Sequence, residues 1–248
     1  MKKIYMMVAA LPLLMASCGS DDSLTVTPSN AEVKCGETLA LTASNKNVTW
    51  SSLDADIASV DTKGVVTGKH IGQTRVEAVD NDGNNGSSEI TVVASNNNFT
   101  APLTAWNSSI ADVRAAMTSW SNITLDTQEE DALTYTTNGT FPMYSYGFDN
   151  NGGLMASILA VSLEQDEDLD LMGWLDERYW YLSEVDGDFF YYDANNEASA
   201  TMMIKYGYNA TLDCVTVTWT PKSNTKADGV TRAAESAAFK ALRSTLGK

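Results

Sequence analysis

The strongest constraint on fold lies between Leu24 and Val93, where apolar and polar residues alternate in short runs and no helical period appears. Leu24 and Val26 alternate with threonines, Leu39 and Leu41 with Ala40 and Thr42, Val48 and Trp50 with Thr49, Val76 and Ala78 with Glu77, and Ile90 and Val92 with Thr91. A period of two sends alternate side chains to opposite faces of an extended chain, so these runs predict half-buried strands. Gly36, Gly64, Gly68, Gly72, Gly83 and Gly86 fall between them as turn punctuation. About seven short strands in about 70 residues predict a β-sandwich.

Within that segment stand Val48-Thr49-Trp50-Ser51-Ser52, Asp54, Ile57-Ala58-Ser59-Val60-Asp61, Gly64-Val65-Val66-Thr67-Gly68, Gly72 and Ala78. This succession resembles the bacterial immunoglobulin-like group 2 domain over residues 24–94. The resemblance implies a spacer or adhesion module. Trp50 is expected to fill the space between two sheets, Ile57 and Val60 to close one edge, and Gly64 and Gly68 to allow tight turns. Cys35 has no cysteine partner within the segment, so packing alone must hold the sandwich. The loop Asp80-Asn81-Asp82-Gly83-Asn84-Asn85-Gly86 offers oxygens at alternate positions, but Asn85 stands where a calcium loop requires glycine and Thr91 where it requires a bidentate glutamate. A hairpin loop is expected there, and no metal.

The first 22 residues have a different character. Lys2 and Lys3 precede an uncharged apolar run from Ile4 to Met15, and small Ala16 and Ser17 precede Cys18. That is the layout of an export signal, and its apolar run, interrupted by Pro12, is shorter than the roughly 20 residues of a spanning helix. It resembles a bacterial lipoprotein signal, with Met15 where an aliphatic residue is usual, and implies removal of residues 1–17, lipidation of Cys18 and a short spacer over 18–23. Gly19-Ser20-Asp21-Asp22 also looks like the surface-export tag of Bacteroidetes-type lipoproteins, and Asp22-Ser23-Leu24 like an O-glycosylation acceptor of the same group.

Ser95-Asn96-Asn97-Asn98, followed by Pro102, marks a linker over 95–100, after which Trp, Tyr, Phe and Met become frequent. A helix is expected from about Ser109 to Trp120, opened by a capping box Ser109-Ile110-Ala111-Asp112 with Ile110, Val113, Met117 and Trp120 at helical spacing. Strands follow at 132–136, 143–148 and 154–163, a second helix at 166–179, and strands at 189–193, 198–208 and 212–220. Residues 101–221 therefore read as an α+β domain, an antiparallel sheet with helices on one face, which makes the whole chain mainly β. Helix starts about 58 residues apart suggest an internal duplication. The arrangement is similar to uncharacterised C-terminal domains of Bacteroidetes-type lipoproteins, a resemblance that carries no activity. Residues 222–248 read as a polar loop and a helix that either docks or frays, with Phe239, Leu242 and Leu246 at helical spacing.

Of 248 residues, 16 are basic and 32 acidic; loss of Lys2 and Lys3 leaves 14 against 32, a formal charge of −18. Such a surface repels nucleic acid and anionic headgroups, so nucleic acid is not an expected partner. His70, the only histidine, lies in an apparent turn, Gly68-Lys69-His70-Ile71-Gly72, and is expected to be solvated. With one histidine, and with no nucleophile elbow, phosphate loop or dinucleotide fingerprint, catalytic residues and cofactors are not expected. Cys35 and Cys214 read as separate buried thiols. Glu164, Asp166, Glu167, Asp168 and Asp170 gather where a helix dipole favours acids.

Aromatic residues supply the candidate ligand surface: Trp180, Tyr181, Tyr191 and Tyr192, within Tyr179-Trp180-Tyr181 and Phe189-Phe190-Tyr191-Tyr192. Consecutive aromatics on a strand must point to both faces, so two of four stand on whichever face the helices leave bare, unless the C-terminal helix covers it. The expected function is a lipid-anchored cell-envelope binding or adhesion protein on the outer membrane, its partners a membrane through the lipid and a glycan or an envelope or host protein. Two alternatives stand beside it: a glycan-processing enzyme using carboxylates of residues 101–221, and a structural or inhibitory partner of another envelope protein.

Overall fold

A computed structural model describes residues 24–222 and 228–247. The lipoprotein signal, the spacer and Cys18 lie outside the described residues.

Nine strands make the first unit: β1 (Val26–Thr27), β2 (Asn30–Lys34), β3 (Thr38–Ala40), β4 (Thr42–Ala43), β5 (Val48–Ser52), β6 (Ala58–Val60), β7 (Val65–Gly68), β8 (Gly72–Asp80) and β9 (Asn85–Val93). Sheets ordered β2-β9-β8-β5 and β3-β7-β6, with a β1-β4 pair, enclose Val33, Val66, Val76, Ala78, Ile90 and Val92, the inward residues of the alternating pattern. Trp50, Ile57 and Val60 pack against this core, as expected. Gly64 turns at φ +81°, and a Cβ there would lie 2.9 Å from the Trp50 ring. Gly68 serves close approach rather than a turn, because its Cβ would lie 2.7 Å from the Lys34 carbonyl oxygen. The Asp80 loop is the expected hairpin. The Asp80 carboxylate accepts from the backbone N–H groups of Asp82 (3.0 Å) and Asn84 (2.9 Å), work that fixes the turn.

The second unit runs α1 (Ile110–Met117), β10 (Thr124–Gln128), β11 (Ala132–Thr137), β12 (Thr140–Phe148), β13 (Leu154–Val161), α2 (Leu163–Leu169), α3 (Leu171–Asp176), β14 (Trp180–Val185), β15 (Asp188–Tyr192), β16 (Met202–Asn209), β17 (Cys214–Pro221) and α4 (Asp228–Leu246). The capping box of Ser109 and Asp112 opens α1 as predicted. The expected second helix is instead two short ones, broken where Asp170 takes the left-handed conformation (φ 51°) and its carboxylate accepts from Gly173 N (2.9 Å). Eight strands, not six, form the antiparallel sheet, in the order β10-β11-β12-β13-β17-β16-β15-β14. The two additions, β10 and β14, are its edges.

That order is two four-stranded meanders joined at their last strands, and their registers are the same. Leu125↔Tyr135 and Thr127↔Thr134 recur 56 residues later as Tyr181↔Tyr191 and Ser183↔Phe190, with the bulge between them at the same place. Met143↔Ala160 and Tyr144↔Leu159 recur 60 residues later as Met203↔Thr220 and Ile204↔Trp219. At the seam Ile158 pairs with Thr218, its own counterpart, which marks a pseudo-twofold axis through the sheet. The expected duplication is present, strand for strand.

Helices α1 to α3 lie on one face, over Leu133, Tyr144, Tyr146, Leu159, Val217 and Trp219. The C-terminal helix docks on the other face, mainly over the first meander, and its apolar contacts reach past the seam only to Cys214 at the start of β17 and Leu212 just before it. Small residues let it come close: Ser145 Oγ donates to the Ala238 carbonyl (2.8 Å), and a Cβ on Gly147 would overlap the Ala234 carbonyl. At Gly207, the counterpart of Gly147, the obstructing atoms are the carboxylate end of Asp188. Gly147→Ala is therefore expected to cost about 2 kcal/mol through forced displacement of a helix, and Gly207→Ala distinctly less, because a side chain can swing away. Urea unfolding of both variants checks this, and equal losses would show that α4 is not in close contact.

The segment read as a linker is pinned. Glu177 is 8% exposed, and its carboxylate accepts from Ser95 N (3.2 Å), Asn96 N (3.1 Å) and Ser95 Oγ. Arg178 Nη2 donates to the Asn96 carbonyl (3.0 Å), and its guanidinium lies 4.3 Å from the Trp174 ring centroid. Asn96 Nδ2 donates to the Asp170 carbonyl (2.8 Å), and from the first unit Ile71 N donates to the Glu177 carbonyl (2.8 Å). His70 is in a turn but only partly solvated, since its ring stacks on Trp180 at 4.8 Å. Cys35, buried near this joint, has its thiol pushed up to about 11, first by burial and then by Glu177; Cys214 is buried in the other unit. Removing one member of a buried ion pair strands the other. Glu177→Ala is accordingly expected to cost about 3 kcal/mol and to expose Asn96–Asn98 to protease, while an unchanged cleavage rate would mean that the carboxylate does not hold the joint.

Candidate functional site: the open half of the sheet

Register decides where the four predicted aromatics stand. Trp180 pairs with Tyr192, and Tyr181 with Tyr191, so each pair shares a face. Tyr181 and Tyr191 point to the face of α2 and α3, where Tyr191 is 1% exposed and only the edge residue Tyr181 (56%) meets solvent. Tyr191 is thus a core residue and not part of a ligand surface. Trp180 and Tyr192 point to the face of α4, which stops short of them.

On that second face the open half presents two rows across β14, β15 and β16. Trp180, Tyr192 and Met203 form one, and Ser183, Phe190 and Lys205 the next. Under the pseudo-twofold Phe190, Tyr192 and Lys205 occupy the places of Thr134, Thr136 and Ser145, which lie fully buried in the meander that α4 covers. Rings and a long cation have replaced small side chains where no helix lies. Phe190 and Tyr192 are half-buried, and Met203 is exposed.

Charged groups frame this platform. Lys205 Nζ stands 3.6 Å from Asp188 and 4.0 Å from Glu235 of α4. Lys222 Nζ lies 5.3 Å from the Tyr192 ring centroid, donates to the Glu197 carbonyl and is 3.9 Å from the Glu197 carboxylate. Between Tyr192, Met203, Lys222 and the start of α4 opens a groove of about 400 Å³. The first unit borders the platform on another side, through the His70–Trp180 stack and a hydrogen bond from Asn195 Nδ2 to Asp56 (3.1 Å). Phe190 lies within the aromatic run expected to face both ways, whereas Met203, Lys205 and the groove escaped sequence reasoning; the signal for Met203 and Lys205 was their alternation with buried Ile204.

Two carboxylates lie on the opposite, helix-covered face. Tyr206 Oη donates to Asp166 (2.9 Å), and Asp176 is hydrogen-bonded to Tyr191. Burial raises both acids above the usual carboxylate range, and Asp170 adds to the rise. Of the rest of the acidic run, Glu164 lies in the first turn of α2 and Asp170 caps α3, as the dipole favours, whereas Glu167 and Asp168 fall toward the C-terminal end of α2, because that helix starts earlier than expected. A sheet separates Asp166 and Asp176 from the groove, so they do not act on what lies in it. Their raised values mean that the folded state binds protons more tightly than the unfolded one, so their contribution to stability falls as pH rises from about 4 toward neutrality. Relative to wild type, the Asp166→Asn, Asp176→Asn double variant should therefore be more stable at pH 7 than at pH 4. Denaturant midpoints at the two values test this, and a difference that does not change with pH would refute it. Among the described residues no cluster of three or more His, Cys, Asp or Glu side chains is placed to hold a metal ion.

Comparison with known proteins bears on the first unit. Residues 22–92 match the family described as the bacterial Ig-like domain (group 2). Over 73 residues, 29% of this chain, the sequence is 42% identical to an uncharacterized protein of Clostridium acetobutylicum, and the match takes in 6% of that protein. Among solved structures the chain is similar to a C-terminal 282-residue fragment of intimin in complex with the intimin-binding domain of its translocated receptor, at 26% identity over 28% of this chain and 30% of that one, TM-score 0.26. It is also similar to extracellular cadherin domains 1–4 of protocadherin gamma B7, at 11% identity over 82% and 49% of the two chains, TM-score 0.29. The chain spans 6% of the length of the curated relative and 30% of the intimin fragment.

Proposed function

We propose that this is a lipid-anchored binding or adhesion protein of the cell envelope, held to the outer membrane through Cys18, with the Ig-like domain as spacer and the C-terminal domain as ligand-facing module. The observation that carries the reading is the open half-face. A fold that covers one meander with a helix and leaves its twin bare, set with Phe190, Tyr192 and Met203, keeps apolar surface in water at a cost that a bound partner offsets. The apolar run before Cys18 supports the anchor, and no described helix is long and apolar enough to cross a membrane. The stiff joint at Glu177 suits a spacer, because it fixes the direction in which the platform faces. The reading is non-catalytic: the acids that burial perturbs are engaged by tyrosine hydroxyls on the face away from the groove.

Two measurements on the full-length protein test it. Wild type is expected to incorporate a labelled fatty acid and sediment with membranes, and Cys18→Ser to do neither. Cells displaying the protein should adhere to immobilised envelope or host-cell surfaces, and Phe190→Ala should weaken that adhesion about fivefold through loss of one ring contact. A soluble, unlabelled wild type removes the anchor from the proposal; adhesion indifferent to Phe190→Ala removes the face.

A further inference from the structure

We propose that the groove beside Tyr192 is a subsite for a neutral saccharide end group. This rests on the binding role of the open face and names the chemistry of its ligand.

The floor is apolar, made by the Tyr192 ring and Met203. A ring face takes the C–H side of a pyranose as it takes another flat apolar edge. The walls carry two cations, Lys222 and Arg232, and two carboxylates, Glu197 and Glu235. Formal charge in the groove is therefore balanced in a chain whose net charge is −16. Each carboxylate already has a lysine partner, Lys222 for Glu197 (3.9 Å) and Lys205 for Glu235 (4.0 Å), so the groove offers no uncompensated charge of either sign to an ionic ligand. A hydroxyl is both donor and acceptor, so a ring of neighbouring hydroxyls can accept from Lys222 and Arg232 while donating to Glu197 and Glu235. Lys222 already stands 5.3 Å above the Tyr192 ring, within reach of substituents on anything that rests there.

Another observation points into the same space. Thr231, on the groove wall, is 9% exposed, and its hydroxyl has no hydrogen-bond partner among the described residues. Buried hydroxyls are normally satisfied, so an unpaired one just beneath the groove wall can pair with a ligand once its side chain turns about χ1. Size selects as well. A volume of about 400 Å³ sits near the lower end of ligand pockets, roughly 300–1,000 Å³. It admits one or two sugar rings. A folded protein partner would need on the order of 800 Å² of free surface, whereas the Ig-like domain and α4 close two sides of this one.

Affinity electrophoresis of the full chain in detergent tests the proposal, in native gels containing neutral polysaccharides (mannan, β-glucan, galactan, xylan) or acidic ones (alginate, polygalacturonate). Retardation is expected in at least one neutral gel. Tyr192→Ala should weaken it about tenfold through loss of the ring floor, Glu235→Gln should weaken it less, and Tyr181→Ala, on the opposite face, should leave it unchanged. Near-ultraviolet circular dichroism of each variant shows whether the fold is retained. Absence of retardation in every neutral gel, retardation by acidic polymers alone, or equal loss in the Tyr181 variant would overturn the subsite. Adhesion that still depends on Phe190 in that event leaves the wider binding role standing and removes only the saccharide.

Discussion

The pairing of β13 with β17 is the constraint on which the second unit depends. Each meander alone is four strands with one helical layer. Joining Leu159 to Val217 and Ser157 to Trp219 turns two such halves into one eight-stranded sheet with a continuous core beneath α1, α2 and α3. The seam is central and buried, so each half abolishes one edge of the other, and the remaining edges, β10 and β14, are short and bulged. Bulges and shortness are what keep exposed edges from pairing with other chains. Twofold symmetry then forces both repeats to place their own helices on the same face. The opposite face has no repeat-encoded cover, and whatever covers it must come from outside the duplication.

Only one such element is present among the described residues, and one helix cannot cover two equivalent half-faces. The side chains record which half was chosen. Thr134, Ser145 and Gly147 are small enough for the backbone of α4 to approach until a serine hydroxyl meets a helix carbonyl. Their counterparts Phe190, Lys205 and Gly207 are divergent in two places of three, and Asp188 fills the space above the conserved-size glycine. A helix laid on the second half at the same height would collide with the rings. Duplication supplied two identical frameworks, and divergence at alternate residues made one a packing surface and the other an exposed platform. Neither change disturbs the register, because side chains of opposite parity hold the core.

Much of the fold was legible in the sequence, and the failures share a cause. The Ig-like sandwich could be read because alternation, glycine and Trp50 all act locally. The edge strand β10 could not, since Thr124–Gln128 lacks a buried row and has no pattern to show. The joint was read as a linker because Ser95 and Asn96 are polar, and polarity looks the same whether water or a buried carboxylate satisfies it. The exact repeat left few identities, Met143-Tyr144-Ser145-Tyr146-Gly147 against Met203-Ile204-Lys205-Tyr206-Gly207, with Tyr135 against Tyr191. For the candidate site, parity correctly divided the aromatics into two pairs but could not say which pair was bare. That depended on where α4 docks, a long-range choice that no local pattern encodes. Trp180 and Tyr192 stand on the open side, and Tyr191 is buried by the same rule.

The joint and the platform belong to one packed assembly. From Glu177 and Arg178 the contacts run to Trp174, then edge-to-face to Tyr179 (6.4 Å) and from Tyr179 to Trp219 (6.3 Å), whose indole nitrogen donates to the Tyr179 hydroxyl (3.0 Å). Trp219 lies on β17 in the seam itself, paired with Ser157 of β13 on one side and Ile204 of β16 on the other. Interdigitated aromatic side chains at interior density deform little, so a load applied through the Ig-like domain reaches the central strands without an intervening flexible segment. Trp180 closes the circuit, since the residue that opens the platform's first row is also the one on which His70 of the Ig-like domain stacks. A ligand seated beside Tyr192 would therefore sit next to the joint and not at a remote tip. In that geometry force on such a ligand would be borne across β-ladder hydrogen bonds and the Glu177–Arg178 cluster together, so the residues that fix domain orientation would also carry the load.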